Sequence, residues 1–118
     1  MEEKFTFGEL KTERLDEALT LIRDVFLEYE APEYSDEGIR EFMAFIESEA
    51  IKKMLEENVI HIWTCEDKGR VVGALGARAG HICLLFVSGE YHRKGIARRL
   101  FDMMIAYFKP QAVTVNSR

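Results

Sequence analysis

The chain has 118 residues, enough for one domain built on one core. Its net charge of -5 and pI near 5.3 argue against a general nucleic-acid binder, which would need a basic face. No apolar run approaches the roughly 20 residues of a membrane span, and Met1-Glu2-Glu3-Lys4 lacks the basic-then-apolar pattern of a secretory leader. Cys65 and Cys83 fall inside predicted strands and read as reduced core thiols of a cytoplasmic protein, and no Cys/His spacing suggests zinc or another metal.

Residues 4–10 alternate Phe5 and Phe7 with polar neighbours, the pattern of a short half-buried strand. Thr12 is positioned to cap a helix whose apolar stripe is Leu15, Ala18, Leu19, Ile22, Phe26 and Tyr29, and Ala31-Pro32 stops it. Ser35 is a natural cap for a second helix, with Asp36 and Glu37 in its first turn and Ile39, Phe42, Met43 and Ile46 on its buried face. A third helix through Leu55 either restarts at Ser48 or continues the second; the pattern leaves both open. Asn58 suits its C-terminal end.

Residues 59–66 and 71–78 read as two strands joined by a hairpin loop, Asp67-Lys68-Gly69-Arg70. Gly73 and Gly76 in the return strand mark a bulge or the close approach of another backbone. Ala79-Gly80 is a tight turn into an apolar strand, residues 81–87. Ser88-Gly89-Glu90-Tyr91 follows as a polar loop. Then Ala97, Leu100, Phe101, Met104, Ile105 and Phe108 recur as one stripe of a helix. Lys109-Pro110 is expected to end that helix, and residues 111–116 to form a last strand.

The strand–turn–helix centred on Gly95 has a physical use. The first N–H groups of a helix have no intrahelical partner, and the helix dipole makes that end partly positive. A glycine there lets a ligand approach the backbone, so the junction suits a phosphate or pyrophosphate. Arg93, Lys94, Arg98 and Arg99 add positive charge in a chain that is otherwise acidic.

His92-Arg93-Lys94-Gly95-Ile96-Ala97 resembles the acyl-CoA pyrophosphate loop of the GNAT N-acetyltransferase superfamily, (Gln or Arg)-x-x-Gly-x-(Gly or Ala), between an apolar strand and a helix. His92 departs from the first position of that pattern; Ala97 fits the last. The resemblance covers nearly the whole chain, residues 1–118 as a single domain. It implies an α/β (α+β) fold with a mixed sheet and flanking helices, C-terminally short of the family's usual further helix and two strands. It implies acetyl-CoA as co-substrate, held by Arg93, Lys94, Gly95, Ile96, Ala97 and Arg98, by backbone groups at Phe86 and Val87 where two parallel strands splay, and by Asn116 at the end of the last strand. The activity implied is transfer of an acetyl group to a primary amine of a small molecule or peptide. A non-catalytic acyl-CoA-binding or interaction module is the alternative, because the Tyr that protonates the departing thiolate lies in the segment not matched. A homodimer in which a second copy supplies the missing strands is a further expectation, since the last strand leaves a sheet edge to cover.

Residues for proton transfer are less marked. His81, at the start of the central strand, is the candidate base. His61, mid-strand among apolar residues, reads as a core histidine, and Glu66 and Glu90 as solvated strand-end acids. Phe42, Phe45 and Trp63 read as core rather than acceptor pocket. Glu28, Glu30, Glu33, Asp36 and Glu37 border the loop that the resemblance makes part of the acceptor site, and would favour a cationic amine.

Overall fold

The computed structural model describes residues 5–116, with side chains described through Phe108. Four strands, β1 (Phe5–Glu9), β2 (His61–Asp67), β3 (Arg70–Arg78) and β4 (His81–Val87), form one sheet in the order β1-β2-β3-β4, each pair antiparallel. The two hairpins close with two residues each. Lys68 (φ 54°) with Gly69 (φ 82°), and Ala79 (φ 51°) with Gly80 (φ 83°), adopt the pair of left-handed conformations that matches strand twist. Between its end residues β3 is buried throughout, as a strand covered on both faces must be. Its neighbour β4 lies at an edge with no further strand beside it among the described residues.

Helix α1 (Leu15–Val25) buries Leu15, Ala18, Leu19, Ile22 and Val25. Thr12 does not cap it. Instead Thr12–Arg14 forms a 3-10 turn whose start carries no side-chain cap, and acidic Asp16 and Glu17 complement the first turn of α1. At its far end the helix widens into a π-helical turn, Phe26–Glu30, before Pro32 enters a short 3-10 turn. Helix α2 (Asp36–Phe45) is capped as expected: the Gly38 N–H donates to Ser35 Oγ at 3.0 Å. Helix α3 (Ser48–Glu56) is a separate element with its own cap, the Ala50 N–H donating to Glu47 Oε1 at 3.1 Å. Ser48 Oγ donates to Asp16 Oδ1 at 2.9 Å, tying α3 to α1. Asn58 ends this stretch in the left-handed conformation, φ 59°.

The sheet separates two cores. On one face Leu15, Ile22, Phe26, Ile51, Ile60, Ile62, Leu84 and Phe86 pack beneath α1, α2 and α3. There the rings of Phe26 and Phe42 stack at 4.1 Å, and Phe42 meets Phe86 at 5.8 Å. On the other face Ile96, Leu100 and Met104 of α4 (Ile96–Asn116) seal Trp63, Cys65, Val72 and Leu75. Each such aliphatic or aromatic side chain, fully buried, contributes about 1.5–3 kcal/mol. Gly73 sets how closely α4 approaches: a Cβ there would lie 2.9 Å from Ile96 Cγ2. Gly76 adjoins the bulge, where the β3–β4 register shifts between Gly76 and Ala77. Both cysteines are thiols, and burial pushes Cys65 up to about 11 and raises Cys83 as well.

Residues 111–116 depart from expectation: α4 continues through Asn116 instead of ending at Pro110. The parallel pairing and splay expected beside β4 are therefore not formed, and the described sheet is antiparallel throughout rather than mixed. A proline's fixed φ is helical, so it can be carried in a helix at the loss of a hydrogen bond. An isolated strand gains nothing without a ladder, so local β-propensity alone does not decide the outcome.

Candidate functional site

The end of β4 is the starting point. The Ser88 N–H donates to Val72 O at 2.9 Å, and Val87 stands opposite Gly73. Hydrogen-bonded and non-bonded pairs alternate along an antiparallel ladder. Ser88 opposite Val72 is a bonded pair, so Val87 opposite Gly73 is not, and Val87 turns its N–H and C=O to the open edge. Phe86, one residue earlier, turns its backbone groups to β3. Val87 is thus the residue of this pair that an extended ligand could meet as it would a neighbouring strand.

A 3-10 turn, Gly89–Tyr91, then reverses the chain, with the Tyr91 N–H on Ser88 O at 2.8 Å. His92 follows and reaches back: its Nε2 lies 2.9 Å from Val87 O. A carbonyl can only accept, so Nε2 carries the proton. The Tyr29 ring lies 5.4 Å from the His92 ring, and the Tyr29 hydroxyl sits against Gly89, where a Cβ would collide with it. Next, Arg93 is left-handed at φ 66°, a conformation that costs a non-glycine residue about 1–2 kcal/mol. Gly95 is left-handed at φ 79°, and an added Cβ would meet nothing within 4 Å. The Gly95 carbonyl accepts the Arg99 N–H at 3.0 Å, the first bond of α4, so the N–H groups of Ile96, Ala97 and Arg98 precede the helix ladder. Ile96 is buried and anchors the helix start, while Arg93, Lys94, Gly95, Ala97 and Arg98 are exposed.

The charge is less concentrated than the sequence suggests. Arg93 and Lys94 stand at the loop. Arg98 faces along the helix to Asp102 at 3.4 Å. Arg99 leaves the site, its guanidinium 4.1 Å from the centre of the Phe7 ring on β1.

Behind the loop, side chains tie it to the β2–β3 hairpin. Tyr91 Oη donates to Asp67 Oδ2 at 2.7 Å, and this bond to a carboxylate raises the phenol above its ordinary range. Arg70 bridges Glu90 and Tyr91 Oη, each at 3.4 Å. Below the same hairpin, Arg14 pairs with Glu17 at 2.7 Å and Glu66 at 3.2 Å, and also donates to Gly69 O. Glu17 in turn accepts the Val71 N–H at 3.0 Å, which with Arg14 holds its carboxyl below the usual range.

The expected site residues therefore divide. Phe86, Val87, Arg93, Lys94, Gly95, Ile96, Ala97 and Arg98 fall on one strand end, one loop and one helix start. His81 does not join them. It opens β4 in the Arg78 pairing, six residues from Val87, or about 20 Å along an extended strand. Asn116 is the last residue of α4 rather than of a strand. His61 lies among Trp63, Tyr107 and Phe108, and Glu66 and Glu90 are engaged by Arg14 and Arg70. Glu28, Glu33, Asp36 and Glu37 are exposed around the π-helical and 3-10 turns after α1, with Glu30 half-buried. Among the described residues no three His, Cys, Asp or Glu side chains are grouped to hold a metal, and no helix is long and apolar enough to cross a membrane. Tyr29, Asp67 and Tyr91 are residues of this region that sequence reasoning did not assign. Asp67 and Tyr91 lie 24 positions apart, and only the folded sheet brings them together.

A strand whose last residue turns its backbone outward, a left-handed loop and a helix start whose first amides precede the ladder thus meet at the β4–α4 junction. The chain belongs to the GNAT acetyltransferase family: the model of the acetyltransferase (GNAT) domain matches residues 30–118. No curated protein matches. Solved structures share the fold at low identity. The PaiA N-acetyltransferase of Thermoplasma acidophilum, solved in complex with coenzyme A, is 18% identical with a TM-score of 0.78, covering 92% of this chain and 74% of its own. A predicted acetyltransferase of Clostridium acetobutylicum, solved with acetyl-CoA, is 13% identical at TM-score 0.69, covering 92% and 76%. An aminoglycoside acetyltransferase from an uncultured soil metagenomic sample, in complex with sisomicin, is 19% identical at TM-score 0.65, covering 91% and 71%.

Proposed function

We propose that this chain binds acetyl-CoA at the β4–α4 junction and transfers the acetyl group to a primary amine of a small molecule or peptide. The observation that carries this is the placing of Val87's outward backbone and the helix-start amides of the exposed residues Ala97 and Arg98 on either side of a left-handed loop. Those amides, with Gly95 leaving room and Arg93 and Lys94 adding charge, would hold the pyrophosphate. Val87's C=O already accepts from His92, so its N–H is the group left to the ligand and the donor nearest to hand for the oxyanion formed as the amine attacks the thioester carbonyl. The amine must reach that carbonyl neutral, so a base is required. His81 remains a candidate from sequence, at the opposite end of β4 from the loop. The acidic turns after α1 would draw a cationic acceptor. Two reduced thiols fit a cytoplasmic setting.

The test is titration with acetyl-CoA, followed by assay of free thiol release against a panel of polyamines, amino acids and peptides. Saturable binding with amine-dependent thiol release is expected. Binding with no release on any amine would replace catalysis by an acyl-CoA-binding module, and absence of binding would remove both. The open β4 edge is also where a second copy would pair, so the solution mass with and without coenzyme A separates the two uses of that edge.

A further inference from the structure

A second concavity lies away from the β4–α4 junction. It is a groove of about 440 Å³ between α1 and the turn that joins α2 to α3, and no residue of β4, the loop or α4 lines it. Its floor is apolar: Leu19 and Ile46 are buried and Met43 is half-buried. Its walls carry charges of opposite sign. Asp16 and Arg23 both line it and lie on one face of α1, two turns or about 10 Å apart along the axis. Asp16 accepts the Ser48 hydroxyl on Oδ1 at 2.9 Å, which leaves Oδ2 open. A smaller cleft adjoins at Asp16 and Ser48 and adds Glu13 and Glu49 against Lys52, so this end is acidic on balance. At the other end Arg23 meets its neighbour Asp24 at 3.8 Å, long for an ion pair, with both side chains more than half exposed. Glu47, also on the wall, commits Oε1 to the cap of α3.

We propose that this groove holds an extended apolar peptide of about three residues, its free amino group at Asp16 and its free carboxylate at Arg23. Length and charge select that ligand. An extended chain spans about 3.3–3.6 Å per residue, so three residues match the separation of the two charges. A single amino acid carries its ammonium and carboxylate too close together to meet both ends. A fatty acid would offer Arg23 a carboxylate but leave the acidic end facing no cation. The floor takes apolar side chains, and the planar guanidinium of Arg23 suits a carboxylate bonded through both oxygens. Thr20 stands between the charged ends on the same helix face, and its hydroxyl suits the peptide amides. The groove shares no residue with the β4–α4 junction, so this proposal stands apart from the reading of that junction as the coenzyme's site.

The test is a nuclear magnetic resonance titration of the full chain with the tripeptide Ala-Leu-Ala, free at both ends, capped at either end alone, and capped at both. Amide shifts centred on Leu19, Thr20, Arg23, Met43 and Ser48 are expected, with the free peptide bound about tenfold more tightly than the doubly capped one. Arg23→Gln should weaken the free peptide about threefold or more and leave the peptide amidated at its carboxyl end unchanged. Asp16→Asn keeps an acceptor for Ser48, and should weaken the free peptide while leaving the peptide acetylated at its amino end unchanged. Unchanged thermal unfolding of both variants is the control for folding. Saturating coenzyme A should leave the peptide's affinity unaltered. Equal affinity for free and doubly capped peptides would reduce the groove to a non-selective apolar surface and overturn the proposal. Absence of shifts at the groove, or displacement of the peptide by coenzyme A, would overturn it as well, and neither result bears on acetyl transfer at the junction.

Discussion

Two turns at the same end of the sheet use the same backbone device for different ends. The β2–β3 hairpin places Lys68 and Gly69 left-handed; the β4–α4 loop does so with Arg93 and Gly95. At the hairpin the surrounding groups are consumed by the protein: Arg14 donates to Gly69 O, and Glu17 takes the Val71 N–H. At the loop the amides of Ile96, Ala97 and Arg98 precede the helix ladder, while an added Cβ would meet nothing within 4 Å at either Gly95 or Gly69. Tyr91, donating to Asp67, links the two. One turn is scaffold, and the other, on the proposed reading, borrows its rigidity to present backbone to a ligand.

Substitution of the paired glycines breaks that comparison most sharply. Gly95→Val forces a β-branched residue to φ 79° and should weaken coenzyme A binding by about tenfold or more, read by calorimetry. Gly69→Val faces the same strain at φ 82° but should instead lower the melting temperature by several degrees and leave affinity unchanged. Loss of affinity in Gly69→Val equal to that in Gly95→Val would abolish the distinction. Gly73→Ala should cost about 1–3 kcal/mol in denaturant unfolding, because its Cβ would press on Ile96 Cγ2 at 2.9 Å.

The hairpin's carboxylate sharpens the comparison by pH. Glu17 is held below its unfolded value by the Val71 N–H and by Arg14. Its contribution is therefore present above the unfolded carboxylate pKa and lost as pH falls through the lower folded one. Its side chain is 41% exposed, so solvent screening limits the effect, and Glu17→Gln should cost about 0.5–1 kcal/mol at neutral pH and flatten the acid limb of the stability curve. An unchanged acid limb would remove Glu17 from the scaffold. The smallest effect is expected of Tyr91→Phe, which keeps the ring against Phe5 but loses the bond to Asp67. A modest loss of coenzyme affinity with little change in melting temperature is the expected outcome, and unaltered affinity would show that the hairpin does not steady the loop.

Much of this architecture is legible where the signal is local. The cap at Ser35, the reversals at Lys68-Gly69 and Ala79-Gly80, and the left-handed Asn58 each depend on one or two residues and their neighbours. The glycine-bearing loop and the helix start after it are legible for the same reason. What was not legible depends on distant partners. Residues 111–116 have strand composition, yet a strand is made by the ladder beside it, and none forms at β4's free edge among the described residues. Arg99 looks like part of a basic cluster until β1 brings Phe7 beneath it. His92 looks like an imperfect match until the turn folds it back onto Val87.

The left-handed setting of Arg93 has a consequence for timing. It stands beside two contacts made wholly within the chain, His92 to Val87 O and Tyr91 to Asp67. On the proposed reading, capture would need no slow rearrangement of the receiving surface. Observed association rates should rise in proportion to ligand concentration, as a single exponential phase, with no plateau set by a loop opening or closing.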